Sequence, residues 1–261
     1  MTFATVIMAN AIGVHCRPGV IPTGSGLKSL QVGELGDANM TWNGSETEKY
    51  VKEIKEIHHS IQEEIESRLE EFEQTWKKGK ETDVFAELVF CILTPQSRAR
   101  RCWEAVENLI SKDFLLKGDK NWIARELSGV RFRNKKAEYI LEARNQFLVG
   151  GKLDIRLKIN QFSNVFDARE WLVQNIRGIG YKEASHFLRN IGLGKDLAIL
   201  DRHILKGLKF LGVIVRIPDS LSRKTYLETE KGMKEFSKEV KIPVDHLDLV
   251  LWYKGTGEIF K

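Results

Sequence analysis

Two residues stand out by type and spacing. Lys182 follows the turn Arg177–Gly178–Ile179–Gly180, and Asp201 lies 19 residues further on, after the apolar stretch Leu197–Leu200. A lysine in the first turn of a helix sits at the positive end of the helix dipole, which favours the neutral amine. A neutral amine is what a Schiff-base nucleophile requires. Asp201 stands directly before Arg202–His203–Ile204–Leu205, where aspartate is a preferred N-cap, held rigid and ionised by the amides it accepts. Such a carboxylate can stabilise positive charge developing on a nearby carbon and help deprotonate Lys182. Plainer roles stand beside these: a solvent-exposed lysine that touches phosphate, and an aspartate that only caps.

The turn before Lys182 has chemistry of its own. Glycines two apart permit backbone conformations closed to other residues and let a ligand approach the main chain. The amides after Gly180 open the second helix and have no intrahelical partner, so they form a site for phosphate. Ile176 and Ile179 can pack the turn while its amides face outward. A bare Gly-x-Gly between helices is also an ordinary helical hairpin, and it is the company of Lys182 and Asp201 that favours a functional reading. His203 is placed to contact a phosphate or to be a surface or capping histidine.

The elements that must hold these residues are helical. Apolar residues recur at steps of three and four through Tyr50, Ile54, Ile57, Ile61, Ile65, Leu69, Phe72 and Trp76, which predicts a helix ending near Gly79. Thr82 is expected to cap a buried helix over Asp83–Leu93, which Pro95 ends. Further helices are expected at Arg98–Ile110, Asn121–Leu127, Asn134–Phe147, Phe166–Asn175, Lys182–Asn190, about Arg202–Leu211, Arg223–Val240 and Val244–Tyr253. No alternating stretch is long enough to argue for a sheet, so the fold class is all-α with short loops at Gly, Pro and Asp.

Composition narrows the function classes. A chain of 261 residues, 42% hydrophobic and 30% charged, can bury one large core or two smaller ones. No apolar run is of membrane-spanning length. No basic residue precedes the apolar Ala4–Val14 and Asn10 interrupts it, so a signal peptide is not expected. The three cysteines, Cys16, Cys91 and Cys102, give neither a disulfide framework nor a four-cysteine iron–sulfur site, and the expected location is cytoplasmic. Residues 1–45 are neutral, hold seven of the 21 glycines and lack a helical period; they read as a flexible extension. Residues 46–79 carry a net charge of −4 within a chain of +5, which leaves +9 on the remainder. A basic body behind an acidic helix suggests an anionic partner.

The stretch Gly178-Ile-Gly-Tyr-Lys-Glu-Ala-Ser-His-Phe-Leu-Arg, followed by Ile199-Leu-Asp-Arg-His-Ile-Leu, resembles the signature of the helix-hairpin-helix DNA glycosylases. The apolar Phe90-Cys-Ile-Leu-Thr, Lys135-Lys-Ala-Glu-Tyr-Ile and the ending Leu249-Val-Leu-Trp-Tyr-Lys-Gly-Thr-Gly with terminal Lys261 narrow it to the archaeal-type (type 2) 8-oxoguanine DNA glycosylase/AP lyases. The resemblance covers roughly Glu53 to Lys261. It implies Lys182 as Schiff-base lysine and Asp201 as catalytic aspartate. It places Gly178, Gly180, Glu183, His203 and Gln96 against DNA, and Lys261 and Trp252 against the lesion. It implies duplex DNA with oxidised guanine as partner, no required cofactor, a monovalent cation on the hairpin carbonyls in many members, no membrane, and a monomer. Trp252 can equally be a core residue, and Gln96 a helix-end polar group rather than the side chain that fills the emptied duplex.

Two lobes are expected, 80–190 with the hairpin at about 166–190, and 46–79 with 191–261. The first 45 residues match nothing in the family pattern. Thr94-Pro-Gln-Ser-Arg-Ala-Arg-Arg departs from its more usual Thr-Ala-Asn form, which leaves opposite-base preference and wedge identity open. A glycosylase for another damaged base, or a non-catalytic hairpin module that holds only phosphates, are the rival readings.

Overall fold

The computed structural model describes residues 44–260; the glycine-rich stretch before them and Lys261 lie outside the described residues. In chain order the elements are α1 (Ser45–Lys77), α2 (Glu81–Leu93), α3 (Ala99–Ser111), α4 (Phe114–Lys117), α5 (Lys120–Glu126), α6 (Arg133–Gln146), β1 (Leu148–Val149), β2 (Lys152–Leu153), α7 (Ile155–Ile159), α8 (Val165–Asn175), α9 (Tyr181–Asn190), α10 (Arg202–Phe210), α11 (Arg223–Val240) and α12 (Val244–Thr256). The fold is all-α, as the periodicity requires. The elements absent from the sequence reading are α4, α7 and the antiparallel β1–β2 hairpin, in which Val149 pairs with Lys152. Each is too short to carry a period.

One cap is corrected. Thr82 lies inside α2, whose N-cap is Lys80. The Asp83 carboxylate accepts the Lys80 N–H at 2.7 Å, so the first turn closes back on Lys80 and Thr82 is left without the capping position. The 33-residue α1 bends at Ile61 (φ −121°, ψ 15°). Its C-terminal carbonyls are gathered by Arg156 of α7, which donates to Trp76 O, Thr75 O and Gly79 O at 2.8–2.9 Å and pairs with Glu81 at the start of α2.

Two hydrophobic clusters form the core. The first is built around α2, buried from Val84 to Leu93, and takes in α3, α6, α8 and α9 as far as Leu197. The second begins at Ala198 and joins α10, α11 and α12 to the N-terminal half of α1 through Ile54, Ile61 and Ile65. The chain crosses between them in the irregular segment Leu197–Leu200, all of it buried. Buried backbone outside helix or sheet must find side-chain partners. Glu230 of α11 accepts Ala198 N–H at 3.0 Å, Tyr226 donates to Ala198 O at 2.6 Å and accepts Leu200 N–H at 3.4 Å, and Asp248 of α12 accepts Ile199 N–H at 3.4 Å.

Glu230 is in turn held by Arg169 of α8 in a bidentate pair at 2.6 and 2.9 Å, with both side chains at most 4% exposed. Removing one member of a buried pair strands the other charge, which costs about 3–5 kcal/mol. Glu230→Gln is expected to lower stability by about that amount, read as a fall in the urea midpoint at constant m value.

Candidate active site

Helix α8 ends at Asn175 and α9 starts at Tyr181, so the hairpin is the five residues between them. Ile176 and Ile179 are buried as its apolar anchors. The two glycines are not equivalent. Gly178 has φ +87°, and a Cβ there would run into the Tyr139 ring. Gly180 has φ −106° and is the N-cap of α9, with only the Glu183 carboxylate near its missing Cβ, at 3.3 Å. Backbone freedom is thus needed at Gly178, while Gly180 leaves the helix start uncovered. Glu183 accepts the Gly180 N–H at 3.2 Å and lies 3.8 Å from the Lys182 ammonium. It therefore braces the hairpin from within. Arg177 stacks over Tyr139 at 5.0 Å and pairs with Glu142.

Lys182, His186 and Arg189 share one face of α9, at positions i, i+4 and i+7. That face lines a cavity of about 510 Å³, together with Asp201, Arg202 and His203 at the start of α10, Asp248 and Trp252 on α12, and Gln96, Arg98 and Arg131 at its edge. Asp201 is the N-cap of α10 and accepts the His203 and Ile204 N–H groups at 2.7 and 2.9 Å. Its position follows directly from the pinned Leu197–Leu200 segment. Lys182 and Asp201 thus come from different helices onto walls of one cavity. The His203 ring meets Trp252 edge-on at 5.1 Å, and the Trp252 indole N–H is buried with no hydrogen-bond partner. Five Lys/Arg side chains line this cavity against two aspartates.

Gln96 does not sit at the end of α2 itself but in the exposed turn after it, at φ +57°. Lys136 of α6 fixes that turn: its buried ammonium donates to Leu93 O and Pro95 O, each at 2.7 Å. Phe132, which begins α6, is the second non-glycine residue near the cavity edge with positive φ (+59°), and it is 55% exposed. Gln96 and Phe132 line one shallow groove with Tyr139 and Gly178. Among the described cysteines, Cys91 and Cys102 are both free and buried, and burial pushes their thiols up, that of Cys102 to about 11. Neither has thiolate character, and neither lines the cavity. Among the described residues no group of three or more His, Cys, Asp or Glu is arranged to hold a metal.

Sequence reasoning missed Asp248 and Arg189. Burial lifts the Asp248 carboxyl to about 7; the nearby Asp201 adds to the rise, and Arg189 and Lys182 oppose it. The signal was an aspartate in the otherwise apolar run Leu247–Leu251, four residues before Trp252 and so on its face.

The family model described as "8-oxoguanine DNA glycosylase" matches residues 65–242. An 8-oxoguanine DNA glycosylase/AP lyase of Fusobacterium nucleatum is 44% identical over 213 residues, 82% of this chain and 98% of that protein. One of Methanocaldococcus jannaschii is 41% identical over 214 residues, 81% of this chain and 99% of that protein. Among solved structures, the 8-oxoguanine DNA glycosylase of Thermotoga maritima superposes with a TM-score of 0.74 at 35% identity, covering 82% of this chain and 100% of that one. The M. jannaschii enzyme in complex with a 15mer DNA containing 8-oxoguanine gives 0.74 at 38% identity, with the same coverage of both chains.

The unequal hairpin glycines give a direct test. Gly178→Ala forces a side chain into a left-handed position and against Tyr139, and is expected to cost about 1–3 kcal/mol or more. Gly180→Ala is expected to cost less than about 1 kcal/mol, both read from denaturation midpoints.

Proposed function

The chain belongs to the 8-oxoguanine DNA glycosylase/AP lyase family, and on that premise we propose that Lys182 and Asp201 are its catalytic pair. The enzyme removes 8-oxoguanine from duplex DNA and cleaves the abasic site that results. The observation that carries the assignment is the meeting of these two side chains, from separate helices, in one basic cavity of base-holding size. The glycosidic carbon is inaccessible inside a stacked duplex, so the nucleotide must be extruded into that cavity.

Lys182 Nζ, as the neutral amine, attacks C1′. The glycosidic bond breaks with its electron pair on the departing base, which takes a proton from water. The Asp201 carboxylate, fixed by the two amides it caps, stabilises positive charge on the sugar and takes up the proton that Nζ sheds. Ring opening gives a Schiff base between Nζ and C1′. Loss of a C2′ proton then expels the 3′ phosphate, and water releases the lysine.

The hairpin holds the backbone. The Tyr181 and Lys182 amides at the start of α9 donate to no described group and suit a phosphate. The carbonyls of Arg177, Gly178 and Ile179 accept no hydrogen bond from described residues, and this oxygen set fits the monovalent cation found in related hairpins. Such an ion would neutralise phosphate charge. His203 contributes a further phosphate contact, Trp252 offers a ring to the extruded base, and Gln96 fills the vacated stack. The exposed, positive-φ Phe132 supports a second candidate for that wedge. In this reading residues 46–79 with 191–261 form one lobe and 80–190 the other, with the nucleotide between. Among the described residues a single chain supplies every group used, which supports action as a monomer, and a DNA substrate supports a place in the cytoplasm beside chromosomal DNA. No described helix is long and apolar enough to cross a membrane.

Borohydride trapping on a duplex with one 8-oxoguanine opposite cytosine tests the chemistry. A covalent adduct is expected with the unaltered protein and none with Lys182→Gln. Asp201→Asn keeps the capping oxygen, so its melting temperature should hold while excision slows by about 100-fold or more; an equal loss of stability would reduce Asp201 to a cap. Lys261 lies outside the described residues, and the resemblance gives it the discrimination between lesion and normal base. Removing it is expected to cut the 8-oxoguanine-over-guanine ratio by about 10-fold or more, measured as single-turnover rates on the two duplexes.

A further inference from the structure

Among the residues that line the cavity are two charged side chains that the mechanism does not use. Arg189 of α9 and Asp248 of α12 are both nine-tenths or more buried, and both line the cavity. They form a poor ion pair: the Arg189 Nη1 to Asp248 Oδ2 separation is 3.9 Å, beyond hydrogen-bond reach. The Arg189 Nε and Nη1 atoms are buried with no hydrogen-bond partner. Asp248 accepts only the Ile199 N–H, at 3.4 Å, which leaves most of its acceptor capacity empty. Burial and Asp201 hold the carboxyl near the threshold of ionisation despite Arg189 and Lys182. A buried pair in this geometry does not recover its desolvation cost by itself. The Arg189 guanidinium lies over the Phe72 ring at 5.0 Å, and its unfilled donors are buried beside the unfilled acceptors of Asp248 at the wall of a cavity of base-holding size.

A guanine-type Watson–Crick edge presents an acceptor, O6, followed by two donors, N1–H and the 2-amino group. We propose that Arg189 and Asp248 read this edge of the extruded base, the guanidinium donating to O6 and the carboxylate accepting from N1–H and the 2-amino group. This rests on the glycosylase reading given above and adds to it the residues that select the base class. A carboxylate matches two parallel N–H donors in a fork, the geometry that makes such pairs strong. An adenine edge offers the reverse order and would set its amino group against the guanidinium and its N1 lone pair against the carboxylate. Sites built around buried polar groups reject mismatched ligands steeply because those groups are then left unpaired. On this assignment Asp248 has a double task, as it also holds Ile199 N–H two residues before Asp201. The test has to separate the two.

Single-turnover excision is measured on duplexes carrying 8-oxoguanine or 8-oxohypoxanthine, which differs only in lacking the 2-amino group, each opposite cytosine. Cleavage of a duplex with a preformed abasic site, which has no base to read, is measured beside them. The unaltered protein is expected to excise 8-oxoguanine about 10-fold or more faster than 8-oxohypoxanthine. Asp248→Asn turns an amide donor toward the base; its rates on the two lesions should converge, and its loss in 8-oxoguanine excision should exceed its loss in abasic cleavage by about 10-fold or more. Equal rates on the two lesions by the unaltered protein would overturn the proposal, and that comparison needs no variant to fold. Equal losses by Asp248→Asn in excision and abasic cleavage would also overturn it, reducing Asp248 to a support for Asp201. No excision of 8-oxoguanine by the unaltered protein would instead remove the functional reading, and this assignment with it.

Discussion

The site depends on four residues of buried, irregular backbone. Leu197–Leu200 runs through the interior with neither helix nor sheet to satisfy its polar groups, and each unpaired group there would cost about 1–3 kcal/mol. Glu230, Tyr226 and Asp248 supply the missing partners from two helices. Arg169 closes the arrangement from a third as the buried, bidentate partner of Glu230, to which Lys234 comes no nearer than 3.8 Å. The outcome is a segment with one place to be. Asp201 follows it directly and is then fixed on its other side by the two amides it caps. Precision at the carboxylate proposed for catalysis is achieved here by satisfying hydrogen bonds rather than by shape alone.

The cavity that Asp201 enters is electrically mixed. Its arginines and Lys182 attract a polyanion, yet its two aspartates lie among them and one is fully buried. A purely phosphate-binding surface would have no use for those carboxylates. On the proposed reading the cavity holds a sugar passing through positive charge and a base with both donors and acceptors, and has a use for them. The cost of burying them is spread over the hydrogen bonds of the core, which ties stability and catalysis to the same residues.

Backbone strain gathers where this cavity and the groove beside it open. Gly178, Gln96 and Phe132 all have positive φ and line one groove. Lys136 holds the Gln96 turn through two carbonyls, and Tyr139 packs where a Gly178 side chain would be. Conformations that cost energy persist only when their surroundings over-determine them, and here the surroundings are the first turns of α6. The six-residue piece Lys135–Ile140, which in the sequence carried part of the family resemblance but no role, is what the hairpin and the cavity edge both lean on.

Much of this was legible in the chain itself. The three-and-four spacing of apolar residues set the long helices, and α11 spans the very residues expected, because helix packing needs one continuous apolar face. The glycine turn, Lys182 and Asp201 were readable because helix starts have a local chemistry that spacing reveals. The Thr82 cap was misread because Asp83 competes for the same turn, and a sequence does not say which side chain wins. Arg189, Asp248 and Phe132 were missed for a different reason. Taken singly they look ordinary, as a last-turn arginine, an aspartate that interrupts an apolar run and an aromatic before a helix. Only the packing of α9 against the first core, and of α12 against the second, turns the Arg189 and Asp248 side chains toward one cavity, and their charges acquire meaning only when both are taken out of water.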